Sequence, residues 1–196
     1  MGKLISIVGA SGVGKTAFVQ ALANTGRFIV AYEQHAERPF QTRFKQDKSF
    51  ALTNQIDYLL LRAEQEKELR ASSQIGLTDG GLDLDFHGFT CLFLSRKLLD
   101  QNEFDLCRRL YTLVRATLPP PELIVRLNAD VETVAARMST RDRVNIASAE
   151  DTAQFNSYLD EWLANISSNQ VLTMDVSTET MDYAKSTRLV LERINQ

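Results

Sequence analysis

Five short, largely apolar runs punctuate the chain, at 3–9 (KLISIVG), 27–33 (RFIVAYE), 73–79 (SQIGLTD), 122–128 (ELIVRLN) and 170–176 (QVLTMDV). They are rich in β-branched residues, as expected of strands covered on both faces. Longer segments with helical spacing lie between them. Within 49–70, Leu52, Ile56, Leu59 and Leu60 share one face, and the charged residues gather toward the end. Segments 90–99 (TCLFLSRKLL) and 104–118 (FDLCRRLYTLVRATL) read as two more helices, and Pro119-Pro120-Pro121 stops the second. A strand, an Asp cap and a short helix follow in 126–138 (RLNADVETVAARM), and then a polar, arginine-bearing loop in 139–151 (STRDRVNIASAED).

Strand and helix therefore alternate, which predicts an α/β fold: a parallel five-stranded sheet flanked by helices, forming a single domain over residues 1–196. Composition leaves that picture unchanged, with 44% hydrophobic and 24% charged residues. A formal charge of −3 argues against a generally nucleic-acid-binding surface. Cys91 and Cys107 fall in helical segments far apart and read as buried thiols rather than a disulfide or metal pair. No apolar run is long enough to span a bilayer, and a strand begins almost at the first residue, so the expectation is a cytoplasmic protein with no membrane partner.

The first strand runs into Gly9-Ala10-Ser11-Gly12-Val13-Gly14-Lys15-Thr16, the pattern Gly-x-x-x-x-Gly-Lys-Thr of a P-loop. The glycines let backbone N–H groups turn inward around a phosphate, and the helix that follows adds its positive end. Lys15 suits the β- and γ-phosphates and Thr16 suits Mg²⁺, so ATP or another nucleoside triphosphate with Mg²⁺ is the expected donor. No Asn-Lys-x-Asp guanine-reading motif is present, which argues against a switch GTPase.

Where the γ-phosphate goes is a question for the second strand. Glu33 ends it, on the sheet edge where ligands of open α/β sheets bind, and a carboxylate there can take the proton of an attacking hydroxyl. Taken alone, Glu33 is as well read as a solvated strand end. Arg38-Pro39-Phe40 follows five residues later, and Phe50-Ala51 precedes a helix carrying Gln55. In this order the residues resemble the deoxyribonucleoside kinase family, particularly its bacterial deoxyadenosine and deoxyguanosine kinase branch. That family has a catalytic Glu, often followed by Pro where Gln34 stands here, then Asn-Pro-aromatic, then a base-reading Gln.

The resemblance spans Lys3 to about Trp162 and implies a nucleoside-kinase-like fold with a lid at about 137–148. It implies Glu33 as catalytic base, Gln55 on the nucleobase, Phe40 and Arg62 at the substrate, and Asp79 beside Thr16 at the metal. Arg137, Arg141 and Arg143 would close over the transferring phosphate, work to which guanidinium groups are suited. The substrate would be a deoxyribonucleoside, weakly a purine one, phosphorylated on its 5′-hydroxyl, and the assembly a homodimer built on the apolar faces of 52–61 and 89–99. His87 and Trp162 read as packing residues.

Two departures stand against the family pattern. The third strand ordinarily ends Asp/Glu-Arg-Ser, whereas Asp79 is followed by Gly80 and Gly81; Asp83, Asp85 or a lid arginine are candidates to make up the role. Ile146 falls where a substrate-touching Glu is common. Two rivals stay open. One is a kinase for a nucleoside monophosphate or other metabolite, with Arg38, Arg43 and Arg62 available for the acceptor's own phosphate. The other is a nucleotide-binding relative without turnover.

Overall fold

A computed structural model describes residues 2–32, 38–139, 149–180 and 182–195. Among the described residues the strands are β1 (Leu4–Val8), β2 (Phe28–Ala31), β3 (Ile75–Asp79), β4 (Leu123–Asn128) and β5 (Val171–Asp175). They form one sheet in the order β2-β3-β1-β4-β5, and every neighbouring pair is parallel. Each lies within its predicted run. β2 is the most reduced, ending at Ala31 rather than 33.

The helices are α1 (Lys15–Ala23), α2 (Pro39–Gln46), α3 (Ala51–Ala71), α4 (Leu82–Leu84), α5 (Cys91–Ser95), α6 (Gln101–Arg115), α7 (Val131–Ser139), α8 (Ala149–Ala164) and α9 (Ala184–Ile194). A π-helical stretch, Asp85–Thr90, joins α4 to α5 without a break in right-handed backbone. The helix expected over 90–99 is therefore shorter at its C-terminal end, where Lys97 takes φ +55°, and continuous with helical backbone at its N-terminal end. The helix expected over 104–118 begins earlier, because Asp100 caps it: its side chain accepts from the Glu103 N–H while Glu103 returns a bond to the Asp100 N–H.

Alternate positions along the central strands feed two layers. Ile5, Ile7, Val125 and Leu127 pack with Phe18, Val19 and Leu22 of α1 and Val190 of α9. Val8 and Ile124 face the other way, against Leu84, Leu92 and the α8 residues Phe155, Leu159 and Trp162. A third cluster joins α2, α3 and α6 through Phe44, Leu59, Phe86, Phe93 and Cys107. Both cysteines are free; burial pushes each thiol up to about 11, so they are inert packing residues.

Leu92, Phe93 and Leu99 are all buried inside the chain. The expected intersubunit face over 89–99 is thus corrected: these apolar groups are consumed by the core. The large apolar groups left exposed include Leu60 on α3 and Leu106 and Leu113 on α6.

A buried ionic cluster ties α3, α4 and α6 together. The Arg115 guanidinium spans Asp83 and Glu66 with bonds of 2.9–3.0 Å. Arg70 holds Glu66 at 3.0 Å and also donates to the carbonyls of Gly2, Pro119 and Pro120. With Glu66 and Arg70 only 2% and 3% exposed, removing one partner would strand a charge in the interior.

Candidate active site

The sheet's C-terminal edge assembles the site. β1 ends at Val8 and the chain turns through Gly9 (φ +148°), Gly12 (φ +84°) and Gly14 (φ +109°) into α1. A Cβ at Gly9 would stand 2.6 Å from the Leu127 carbonyl oxygen, and one at Gly14 would collide with the Tyr183 hydroxyl. The loop is therefore closed to side chains from behind, and its amides are left to face a ligand. Lys15 folds over it, donating to the carbonyls of Gly9 (2.9 Å) and Ala10 (3.0 Å).

β1 pairs with β3 so that Ile7 lies opposite Asp79, which carries the acid to the mouth of the loop. There the Thr16 hydroxyl donates to Asp79 Oδ2 at 2.6 Å, while Asp79 Oδ1 is buried with no hydrogen-bond partner among the described residues. A carboxylate 1% exposed with one oxygen unanswered, touching a hydroxyl at a helix N-terminus, is a hard-oxygen donor set that fits Mg²⁺.

The arginines are used in distinct ways. Arg137 of α7 donates to the Val13 carbonyl (2.6 Å) and the Val176 carbonyl (3.1 Å), pinning the P-loop to the segment after β5. Arg38 clasps Asp57 through two bonds of 2.5 and 2.6 Å, and this pairing raises its pKa. Arg43 stands over the rings of Phe40 and Phe50. Arg62 donates to Asp85 Oδ2 at 2.7 Å and to Gln65. Glu33, Arg141, Arg143 and Ile146 lie outside the described residues.

Gln55, expected at the nucleobase, is 2% exposed. Its amide nitrogen donates to the Asp85 carbonyl (3.2 Å) and to Thr90 Oγ1 (2.9 Å), both in the π-helical stretch. Asn54 beside it, which no sequence motif marks, is also buried, and its Oδ1 has no partner among the described residues. His87 stacks on Trp162 with centroids 5.0 Å apart and meets the Tyr111 hydroxyl at 3.2 Å, in keeping with the packing role read for both rings. Burial, helped by the Arg115 charge, lowers the His87 pKa to about 4.

This fold and loop define a P-loop phosphotransferase. The deoxynucleoside kinase family model matches residues 5–196, and the chain belongs to that family. A deoxyguanosine kinase of Bacillus subtilis is 24% identical over 141 residues, covering 71% of this chain and 67% of that protein. Among solved structures, M. mycoides deoxyadenosine kinase with bound dCTP has a TM-score of 0.79 at 19% identity and 98% coverage of both chains. The same enzyme with bound dATP gives 0.78 at 20% identity, covering 98% of this chain and 100% of that one. The chain is a kinase that phosphorylates a nucleoside, and the parallel five-stranded sheet expected from the sequence is the sheet it has.

Proposed function

We propose that the protein, acting as one catalytic domain, transfers the γ-phosphoryl group of ATP to the 5′-hydroxyl of a deoxyribonucleoside, with Mg²⁺ and with preference for a purine. The observation that carries this is the Thr16–Asp79 contact at the mouth of the P-loop, with Asp79 Oδ1 unanswered among the described residues. In this reading the amides of residues 9–16 and Lys15 hold the donor phosphates, and Thr16 and Asp79 hold the metal. When bound, Mg²⁺ supplies charge that neutralises the β- and γ-phosphate oxygens.

Glu33 takes the proton of the 5′-hydroxyl as its oxygen attacks phosphorus, Phe40 and Arg62 line the acceptor, and Gln55 reads the base. Arg137, Arg141 and Arg143 belong to the lid at about 137–148 and stabilise charge in transfer. The purine preference is supported by the named activities of the relatives, a deoxyguanosine kinase and a deoxyadenosine kinase. A cytoplasmic location agrees with the finding that no helix among the described residues is long and apolar enough to cross a membrane. The exposed Leu60, Leu106 and Leu113 on neighbouring helices α3 and α6 support a homodimer packed through that face.

The monophosphate reading is disfavoured because Arg38, one of the three cations it would use, is engaged by Asp57. The test is phosphoryl transfer from ATP-Mg²⁺ to each of the four deoxynucleosides and their monophosphates, with Glu33→Gln alongside. Turnover on a deoxynucleoside, lowered about a hundredfold or more in the variant, is expected. Turnover on monophosphates alone, or nucleotide binding with no transfer, would overturn the reading.

A further inference from the structure

β3 ends in Gly80-Gly81, so the two residues after Asp79 bring no side chain to anchor the turn they make. Gly80 and Gly81 take φ +90° and +95°, in the left-handed region. Glycine passes between positive and negative φ without steric cost, so the pair supplies no stiffness of its own. The stiffness comes from β1. The Gly80 N–H donates to the Ile7 carbonyl (2.9 Å), which carries the β1–β3 ladder beyond Asp79. The Gly80 carbonyl accepts from Ser6 Oγ at 2.6 Å, a buried bond between residues 74 positions apart. The Gly81 carbonyl then accepts from the Asp85 N–H (3.1 Å) as helical backbone begins.

Ser6 is 2% exposed and lies opposite Thr78 in the β1–β3 register. Side chains alternate along a strand, so Ser6 and Thr78 share one face of the sheet. Asp79 belongs to the other face, with Ile7 and Leu77, which pack in the α1 cluster. A Cβ at Gly81 would come within 3.0 Å of Thr78 Oγ1 and 3.2 Å of Ser6 Oγ, so both hydroxyls press on the turn. They differ in use. Thr78 Oγ1 has no hydrogen-bond partner among the described residues, whereas Ser6 has committed its proton to Gly80. Facing away from the carboxylate, Ser6 reaches the site through the Gly80 and Asp79 peptide units.

Resting on the reading of Asp79 as a metal-positioning group, we propose that Ser6 is a positioning residue for phosphoryl transfer. By tying the Gly80 carbonyl to β1, its hydroxyl holds the Asp79 carboxylate against the Thr16 hydroxyl and so sets how tightly Mg²⁺ is retained with the nucleotide. Without that hydroxyl the Gly80 carbonyl would be buried and unanswered. A glycine pair can relieve this by rotating, and rotation of the turn redirects the residue before it. Mg²⁺ demands near-octahedral ligand geometry, so a small change in the direction of a carboxylate weakens its hold.

The experiment compares the wild type, Ser6→Ala, Asp79→Asn and the double variant in two ways. One is the Mg²⁺ concentration giving half-maximal transfer from ATP to a deoxynucleoside. The other is the affinity of a fluorescent ATP analogue, measured with Mg²⁺ and again in EDTA. In Ser6→Ala the Mg²⁺ requirement should rise about fivefold to tenfold. Affinity for the analogue should fall by a similar factor with Mg²⁺ and stay within about twofold of wild type in EDTA. Adding Ser6→Ala to Asp79→Asn should change nothing more, because the serine acts through that carboxylate. Effects of the two substitutions that multiply, or an equal loss of affinity with and without Mg²⁺, would mark a general packing role and overturn the proposal. A Mg²⁺ requirement within about twofold of wild type would overturn it as well. Should Ser6→Ala fail to fold, Ser6→Cys takes its place, with similar bulk and a weak donor. In that variant a raised Mg²⁺ requirement supports the role and a wild-type one overturns it. A shifted Asp79→Asn beside an unshifted Ser6→Ala overturns this proposal alone, whereas an unshifted Asp79→Asn removes the metal reading and this proposal together. A wild type that phosphorylates no deoxynucleoside overturns the kinase reading, and the analogue affinities still decide the role of Ser6.

Discussion

The Thr16 hydroxyl and the Asp79 carboxylate, 63 positions apart in the chain, meet at 2.6 Å at the mouth of the P-loop. The β1–β3 register creates the meeting by setting Asp79 opposite Ile7, two residues before the loop begins. Asp79→Asn keeps the shape and removes the charge. We expect kcat to fall about a hundredfold and the Mg²⁺ concentration for half-maximal rate to rise, with nucleotide affinity in the absence of metal little changed. Rate against Mg²⁺ concentration measures this, and an unchanged Mg²⁺ dependence would count against Asp79 as a metal-positioning group.

Gly14→Ala tests the rear wall of the loop. The new Cβ would meet the Tyr183 hydroxyl, and φ +109° is costly for any side chain. A lowered Tm and loss of nucleotide binding are expected together, read by thermal unfolding and by titration with a fluorescent nucleotide. The pair Gly14→Ala/Tyr183→Phe should recover part of the Tm, because it relieves the collision and leaves the backbone strain.

Gln55→Leu separates a packing role from a recognition role. Its amide supplies two buried hydrogen bonds to the π-helical stretch, so the Asp85 carbonyl loses a donor in the variant. A stability loss of about 1–3 kcal/mol in urea unfolding is expected even with no nucleoside present. Unchanged stability would show that these bonds contribute nothing to the fold.

His87 gives a pH signature. Its pKa of about 4 in the folded chain lies below the ordinary 6.5, so between those values the unfolded chain binds the extra proton. Stability from the neutral buried ring is complete above pH 6.5 and is lost as pH falls toward 4. Tm measured from pH 7 to 4 should drop less steeply in His87→Phe than in the wild type, and parallel curves would refute the assignment.

Leu113 is 67% exposed on α6. If the α3–α6 face joins two copies, Leu113→Asp should convert the dimer to a monomer in sedimentation at micromolar concentration. A wild type that sediments as a monomer removes the dimer proposal.

The parts that were legible in sequence are those encoded over short spans. The P-loop declares itself in eight residues, and the strands declare themselves as β-branched runs with little polar interruption. The Asp130 cap of α7 was also readable, since its carboxylate accepts from the Thr133 N–H three positions on. Among the helices not read from the sequence, two carried signals. Pro39 stands in the first turn of α2, and the alternating apolar and charged positions of 184–194 are those of α9.

Other features had no local signature. Arg137 looks like any phosphate-binding arginine, but its guanidinium is engaged by the carbonyls of Val13 and Val176, which no side-chain pattern reveals. The Glu66–Arg70 pair falls where the charged residues of 49–70 gather, and the spacing alone says nothing of its burial. It is buried because Arg115, 49 positions from Glu66, packs over it. The apolar stretch 89–99 has no local sign of its covers: α8, from beyond residue 148, packs on Phe89 and Leu92, while Phe93 and Leu99 join the cluster of α2, α3 and α6.

The central position of β1 has a consequence for synthesis. Its neighbours are β3 and β4, so its backbone has no complete set of partners until residues 123–128 have left the ribosome. The Leu127 carbonyl backs Gly9, and Tyr183, which closes the rear of Gly14, is translated later still. The nucleotide-binding loop, residues 9–16, thus acquires its shape only after residues up to 183 have been translated. A nascent chain arrested before β4 should be unable to retain a nucleotide, however long its P-loop has been exposed.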